Sequence, residues 1–336
     1  MMNSAQAVVA IVGTGSIGET HLRVLSQTAS VRPVAVPVRR ARLAELAAAG
    51  FDVAEDLQGA ARQGASAAVI ATDSGRHVAD ALEAMACGLD VLVEKPLAVD
   101  AEGGRRLCGR AEALGRRVFV GCTLRFSESL RRFRELLPRV GLVQTVRIEC
   151  QSYLPEWRPA RPYRDSYSAR VGEGGVLLDL IHEIDYAGWL FGWPGSVQGR
   201  LLNIGRLGIE VEEIAELTWE TPSGCLVSVC LDYLSRPSRR RMRAYGEEGT
   251  LKWDGVANVV AMERPGSPTD VTRLPQTREQ VLLTQDVEFL QARAGGAETR
   301  LANGEDGVRA LAVCDAARRS AESGREAYVE YSVEVP

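Results

Sequence analysis

Between residues 7 and 123, short apolar runs alternate with segments of helical spacing. AVVAIVG (7–13) is an apolar run closed by glycine, and SIGETHLRVLSQ (16–27) puts Ile17, Leu22 and Leu25 on or near one helical face. VRPVAVPV (31–38) predicts a second strand, and ARLAELAAAG (41–50) a helix stopped by glycine. AAVIATD (67–73), a helix over 76–87, a strand at 89–93, a helix over 100–114 and RVFVGCT (117–123) continue the alternation. Repeated β-α-β units predict a parallel sheet with helices on both faces.

After about residue 125 the rhythm changes. A helix over 127–137 leads to a strand, VQTVRIECQSYL (143–154), and then to a loop rich in arginine and aromatic residues (155–175). One helix is predicted over 176–192, VLLDLIHEIDYAGWLFG. Segments 196–204, 212–220 and 224–233 read as strands, and Tyr245–Trp253 as another. The chain therefore divides into an α/β domain over 1–124 and an α+β domain over 125–336 with a predominantly antiparallel sheet.

The turn after the first strand reads GTGSIG. Gly13 permits the tight turn, Gly15 lets backbone approach a pyrophosphate, and Gly18 lets the helix pack close to the strand. The helix start offers free N–H groups and a positive dipole end to the phosphates. This context makes the first domain a dinucleotide-binding Rossmann domain. The end of the second strand, AVPVRRAR (35–42), has no carboxylate to bind a ribose 2′-hydroxyl but carries Arg39, Arg40 and Arg42. Guanidinium groups suit a 2′-phosphate, which favours NADP(H) over NAD(H); the bland alternative is solvated surface at a helix start.

A formal net charge of −4 argues against a nucleic-acid partner. Arginine greatly outnumbers lysine, read as genomic composition. No segment has the length and apolarity of a membrane span or the pattern of a signal peptide, so a cytoplasmic protein is expected. Seven scattered cysteines without a CxxC pair predict buried thiols in a reducing compartment and no metal site.

Chemistry concentrates on few residues. Strand 91–93 runs into Glu94, Lys95 and Pro96, and the proline biases Lys95 toward extended backbone. Of three histidines, His21 reads as structural packing, while His77 sits near the cofactor or caps its helix. His182 lies in DLIHEID, where Asp179 and Asp185, three residues to either side, would share its helical face. A carboxylate beside an imidazole orients it and raises its basicity, as a general acid/base requires.

The stretches GTGSIGETHL (13–22), ATDSGRH (71–77), GLDVLVEKPLA (88–98), GCTLRF (121–126), GGVLLDLIHEIDYAGWLFG (174–192) and GEEGTLKWDG (246–255), in this order, resemble the glucose–fructose oxidoreductase/inositol dehydrogenase (Gfo/Idh/MocA) family. The resemblance implies a Rossmann domain followed by an open, predominantly antiparallel sheet domain, with NAD(P)-dependent oxidation or reduction of a sugar-like or cyclitol alcohol. It implies Lys95 and His182 as catalytic residues, which must converge on one oxygen across an interdomain cleft. Many members place an aspartate four residues before that histidine; here that position is Leu178, and Asp179 stands three before. The implied cofactor site comprises Gly13, Gly15, Ser16, Ile17, Gly18, Arg39, Arg40, Thr72, Asp73, His77, Glu94, Lys95, Pro96 and Arg125.

For substrate the expected groups are Lys95, Tyr153, Trp157, Arg164, Tyr167, Asp179 and His182, with Arg158, Arg161 and Tyr163 in the same loop. Aromatic faces pack on sugar rings and arginines bind hydroxyls or anions, unless the loop is merely structural. Tyr233, Arg236, Arg239, Arg240 and Arg241 form a second basic cluster that either binds an anion or edges the sheet. By analogy with the family a homodimer or homotetramer is expected. Rival readings are a cofactor-binding regulator without turnover, and an enzyme that recycles a retained cofactor in one site.

Overall fold

The computed structural model describes residues 6–159, 161–293 and 300–331. These form two compact units. The first takes the chain up to Thr123 together with Thr277–Gly307, and the second takes Leu124–Gln276 and the chain from Val308 onward. The chain passes from the first unit to the second between Thr123 and Leu124, and the second unit is not continuous, because Thr277–Gly307 returns to the first.

In the first unit the elements are β1 (Ala7–Val12), α1 (Ser16–Ser26), β2 (Val31–Val36), α2 (Arg42–Ala48), β3 (Asp52–Val53), α3 (Leu57–Arg62), β4 (Ala65–Ile70), α4 (His77–Ala86), β5 (Asp90–Glu94), α5 (Ala101–Ala113) and β6 (Val118–Gly121). β1, β2, β4 and β5 are buried along most of their length, as strands covered on both faces must be.

The second unit contains α6 (Glu128–Leu136), β7 (Val143–Gln151), α7 (Val176–Asp179), α8 (His182–Phe191), β8 (Ser196–Leu202), β9 (Ile214–Glu220), β10 (Leu226–Asp232), β11 (Arg239–Gly246), β12 (Gly249–Asp254), β13 (Val259–Glu263) and β14 (Asp270–Arg273). The returning segment supplies α9 (Arg278–Arg293) and β15 (Ala302–Asn303), followed by α10 (Gly304–Ser323) and β16 (Ala327–Tyr328).

The first sheet has the order β15-β6-β5-β4-β1-β2-β3, with β1 to β6 parallel and β15 antiparallel on the β6 edge. The return of α9 and β15 has a packing reason. Phe289 of α9 meets Phe119 of β6 edge to face at 5.8 Å, and α9 covers α1. The strand order reverses between β1 and β4, and ligands of open α/β sheets bind at the carboxyl ends beside that point.

The second sheet runs β14-β13-β12-β11-β7-β10-β9-β8-β16, antiparallel except for the β7–β10 pair. Its strands alternate. Val146, Ile148 and Cys150 of β7, Val227, Val229 and Leu231 of β10, and Ala215, Leu217 and Trp219 of β9 are buried on the inner face. The intervening positions, such as Arg147, Glu149, Glu216 and Ser228, are polar and at least partly exposed.

Two predicted elements differ. The single strand expected over Tyr245–Trp253 is the hairpin β11–β12, closed where Gly246 faces Gly249. A Cβ at Gly246 would stand 2.1 Å from the Val140 carbonyl, so only glycine lets the chain reverse there. The helix expected over 176–192 is broken: α7 ends at Asp179, Leu180 adopts φ −101° and ψ 30°, and α8 restarts at His182. Every residue from Val176 to Ile181 is buried, so packing on all sides, rather than one helical face, governs the segment.

Candidate active site

The glycine turn has no room for a side chain at two of its three glycines. Gly13 has φ +87°, and a Cβ on it would lie 2.8 Å from backbone atoms of Ala71. A Cβ on Gly18 would stand 1.9 Å from the Gly13 carbonyl oxygen, so α1 can approach β1 only with glycine there. Gly15 differs, since nothing lies within 4 Å of its Cβ direction. It is the N-cap of α1, beside exposed Ser16 and Ile17, and no side chain caps the helix start. These features fit a pyrophosphate. Arg42, one of three arginines after β2, binds the Thr14 carbonyl, Glu19 and Glu45, bracing the turn. Arg39 and Arg40 are exposed, with Glu55 4.0 Å from Arg40.

β5 ends at Glu94, and half-buried Lys95 follows at the carboxyl edge of the sheet, joined to Pro96 by a cis peptide. The Glu94 carboxylate lies 3.1 Å from His21 Nε2, and His21 Nδ1 lies 2.7 Å from Asp286 Oδ2 of α9. His21 is fully buried. Burial alone would lower its pKa, but the Asp286 and Glu94 carboxylates outweigh that and raise it to about 10. His77, also buried, places Nδ1 2.7 Å from the Pro96 carbonyl and Nε2 3.0 Å from the Thr72 carbonyl. Burial keeps this ring neutral by lowering its pKa. Thr72 and Asp73 lie just beyond β4, on the same sheet edge.

In the second unit, Asp179 closes α7 and His182 opens α8, so they do not share one continuous helical face as expected. Asp179 is buried, and the Tyr233 hydroxyl donates to its Oδ2 at 2.7 Å. Burial, and then the Asp179 carboxylate, raise the Tyr167 and Tyr233 phenols above their usual range, which keeps both as donors. Trp157 packs edge to face on Tyr233 at 5.4 Å, and Arg158 lies 5.6 Å over Tyr167. Three of the expected substrate groups, Trp157, Tyr167 and Asp179, therefore gather around Tyr233. Tyr153 instead stacks under Arg236 at 3.4 Å, and Arg164 binds the Leu207 carbonyl through Nε and Nη2 at 3.1 and 2.8 Å. Asp185 and Arg125 form a buried bidentate pair at 2.6 and 3.0 Å, with Arg125 5.5 Å from the Trp189 ring. This pair ties α8 to the start of the unit. Half-buried His182 follows directly from the break.

Residues 8–122 match the oxidoreductase family with an NAD-binding Rossmann fold, and residues 131–252 match the GFO/IDH/MocA C-terminal domain. Over 341 aligned positions the chain is 30% identical to the inositol 2-dehydrogenase of Rhizobium meliloti strain 1021, covering 94% of this chain and 97% of that protein. The chain belongs to the Gfo/Idh/MocA family. A second relative, the rhizopine catabolism protein MocA of Rhizobium meliloti, is 32% identical over 189 residues, spanning 54% of this chain and 56% of that protein. The fold of an inositol dehydrogenase homolog from Azotobacter vinelandii, solved with NADH and myo-inositol, superposes with a TM-score of 0.82 at 19% identity, covering 97% and 98% of the two chains.

Within this Gfo/Idh/MocA chain, sequence reasoning missed Asp286 altogether and left Glu94 without a task beyond the cofactor. No local signal links α9 to His21, 265 positions earlier. A carboxylate facing inward in the middle of a helix was the one available clue. Tyr233 was noted only as part of a basic cluster, yet its hydroxyl donates to buried Asp179.

Proposed function

We propose that this protein is an NAD(P)-dependent dehydrogenase or reductase acting on a CH–OH group of a sugar, sugar derivative or cyclitol, with NADP(H) favoured. The observation that carries the reading is Lys95. The chain has only two lysines, Lys95 and Lys252, among 40 basic residues. One of them follows β5 directly, at the edge where an NAD-binding Rossmann unit holds its ligand. A compact ammonium is kept there in a chain that uses arginine almost everywhere else.

The bound nicotinamide supplies the hydride chemistry. In oxidation His182 takes the hydroxyl proton as the carbinol is oxidised, and Lys95 donates a hydrogen bond to the same oxygen and stabilises its developing negative charge. In reduction the same groups act in reverse. Asp179, Tyr167, Tyr233 and Trp157 supply a polar and aromatic wall suited to a ring bearing hydroxyls. Arg39 and Arg40 serve the 2′-phosphate, because residues 37–42 after β2 contain no carboxylate and Arg42 is already engaged. The outward polar face of the nine-stranded sheet is the surface for a second copy in a homodimer or homotetramer.

The test is turnover of myo-inositol and a panel of sugars and ketosugars with both cofactors. Lys95→Ala and His182→Ala are each expected to lower kcat by roughly 10²–10⁴-fold. The Arg39→Ala/Arg40→Ala double variant is expected to weaken NADPH more than NADH. Cofactor binding without turnover of any member of the panel refutes the enzyme reading and leaves a regulator.

A further inference from the structure

Two of the three histidines take no part in the proposed chemistry, and both are fully buried. Each is bound to a chain neighbour of Lys95. His21 meets the side chain of Glu94, the residue before it, at 3.1 Å. His77 meets the carbonyl of Pro96, the residue after it, at 2.7 Å. We propose that His21 and His77 are positioning residues for Lys95, clamping the backbone on either side of the lysine so that its ammonium starts from a fixed Cα. The inference rests on the reading of Lys95 as the group that binds the reacting oxygen.

The geometry around His21 is specific. Both ring nitrogens face carboxylate oxygens, of Asp286 at 2.7 Å and Glu94 at 3.1 Å. Ionised carboxylates only accept, so both nitrogens must carry protons and the ring is an imidazolium. A buried charge is tolerated only when paired and hydrogen-bonded on all sides, which makes the bracket rigid. Room for it is built into the neighbouring strand. A Cβ on Gly121 of β6 would lie 2.8 Å from Glu94 Oε1 and 3.0 Å from its carboxyl carbon. The bracket joins α1, which follows the glycine turn, to α9 and to the end of β5. His77 completes the clamp from the other side, since its second nitrogen lies 3.0 Å from the Thr72 carbonyl just beyond β4. The four-carbon stem of Lys95 is flexible, and only its root can be fixed by the fold. Misplacing a reacting group by about 1 Å costs on the order of 10²-fold in rate.

The small number of lysines makes the test direct. Reductive methylation with ¹³C-formaldehyde labels Lys95, Lys252 and the N-terminal amine of the full chain. Lys252 lies in the other unit, paired with Glu263 at 2.5 Å, and serves as the internal control. With NADP⁺ added, wild type is expected to give a narrow Lys95 resonance. In His21→Gln and in His77→Gln that resonance is expected to shift or broaden while Lys252 stays in place. Turnover by the unlabelled variants, on the panel member that wild type turns over, is expected to fall ~10–100-fold in kcat. Where His21→Gln does not fold, Glu94→Gln, which keeps the side-chain shape, replaces it. An unchanged Lys95 resonance in these folded variants overturns the proposal. A fully active Lys95→Ala, or wild type inactive on every member of the substrate panel, removes the catalytic reading instead, and the resonance comparison still decides the clamp.

Discussion

The Arg125–Asp185 pair offers the sharpest test of how the second unit is held. Both side chains are almost completely buried, at 4% and 2% exposure, and meet through two hydrogen bonds. Asp185→Asn keeps the shape and removes the negative charge. The guanidinium is then left buried beside a neutral amide, 5.5 Å from the Trp189 ring. Breaking a buried ion pair from one side costs about 3–5 kcal/mol. In a unit of this size each kcal/mol lowers the melting midpoint by about 2–4 °C, so a fall of about 10 °C is expected by calorimetry. The Arg125→Met/Asp185→Leu double variant removes both charges and is expected to recover most of that loss. A midpoint for Asp185→Asn within about 2 °C of wild type would refute the reasoning.

Two further outcomes follow from the first unit. His21 has a folded-state pKa of about 10 against an ordinary 6.5, raised by its carboxylates. Its contribution to stability is therefore fully present below about pH 6.5 and disappears as pH rises through 10. The melting midpoint of His21→Gln should lie below that of wild type at neutral pH and converge on it toward pH 10; a gap that stays constant over that range contradicts the imidazolium bracket. In the glycine turn, Gly15→Ala meets nothing within 4 Å and should melt like wild type while losing about tenfold or more in NADP⁺ affinity. Gly18→Ala drives a Cβ to 1.9 Å from the Gly13 carbonyl and should lose both stability and cofactor; a stable Gly18→Ala protein argues against the close approach of α1 to β1.

Sequence periodicity alone determined the alternating strands and helices of the first unit, because buried parallel strands are continuously apolar and their helices carry one apolar stripe. The glycine turn, the lysine after β5 and the histidine near residue 180 were equally visible, since each depends on local residue type and spacing. Other features depended on contacts between distant segments. The hairpin at Gly246–Gly249 is set by the Val140 carbonyl about a hundred residues away, and the break before His182 by burial on every side. The return of α9 to the first unit is fixed by Phe119 and His21, neither of which marks the sequence of α9 itself. The partners of the charged groups were the least legible. Asp185 was expected beside His182 and pairs with Arg125, while His21, read as packing, lies between two carboxylates. A sequence states which side chains can ionise. Which of them are buried together, and must therefore satisfy one another, is decided only when the tertiary fold removes them from water.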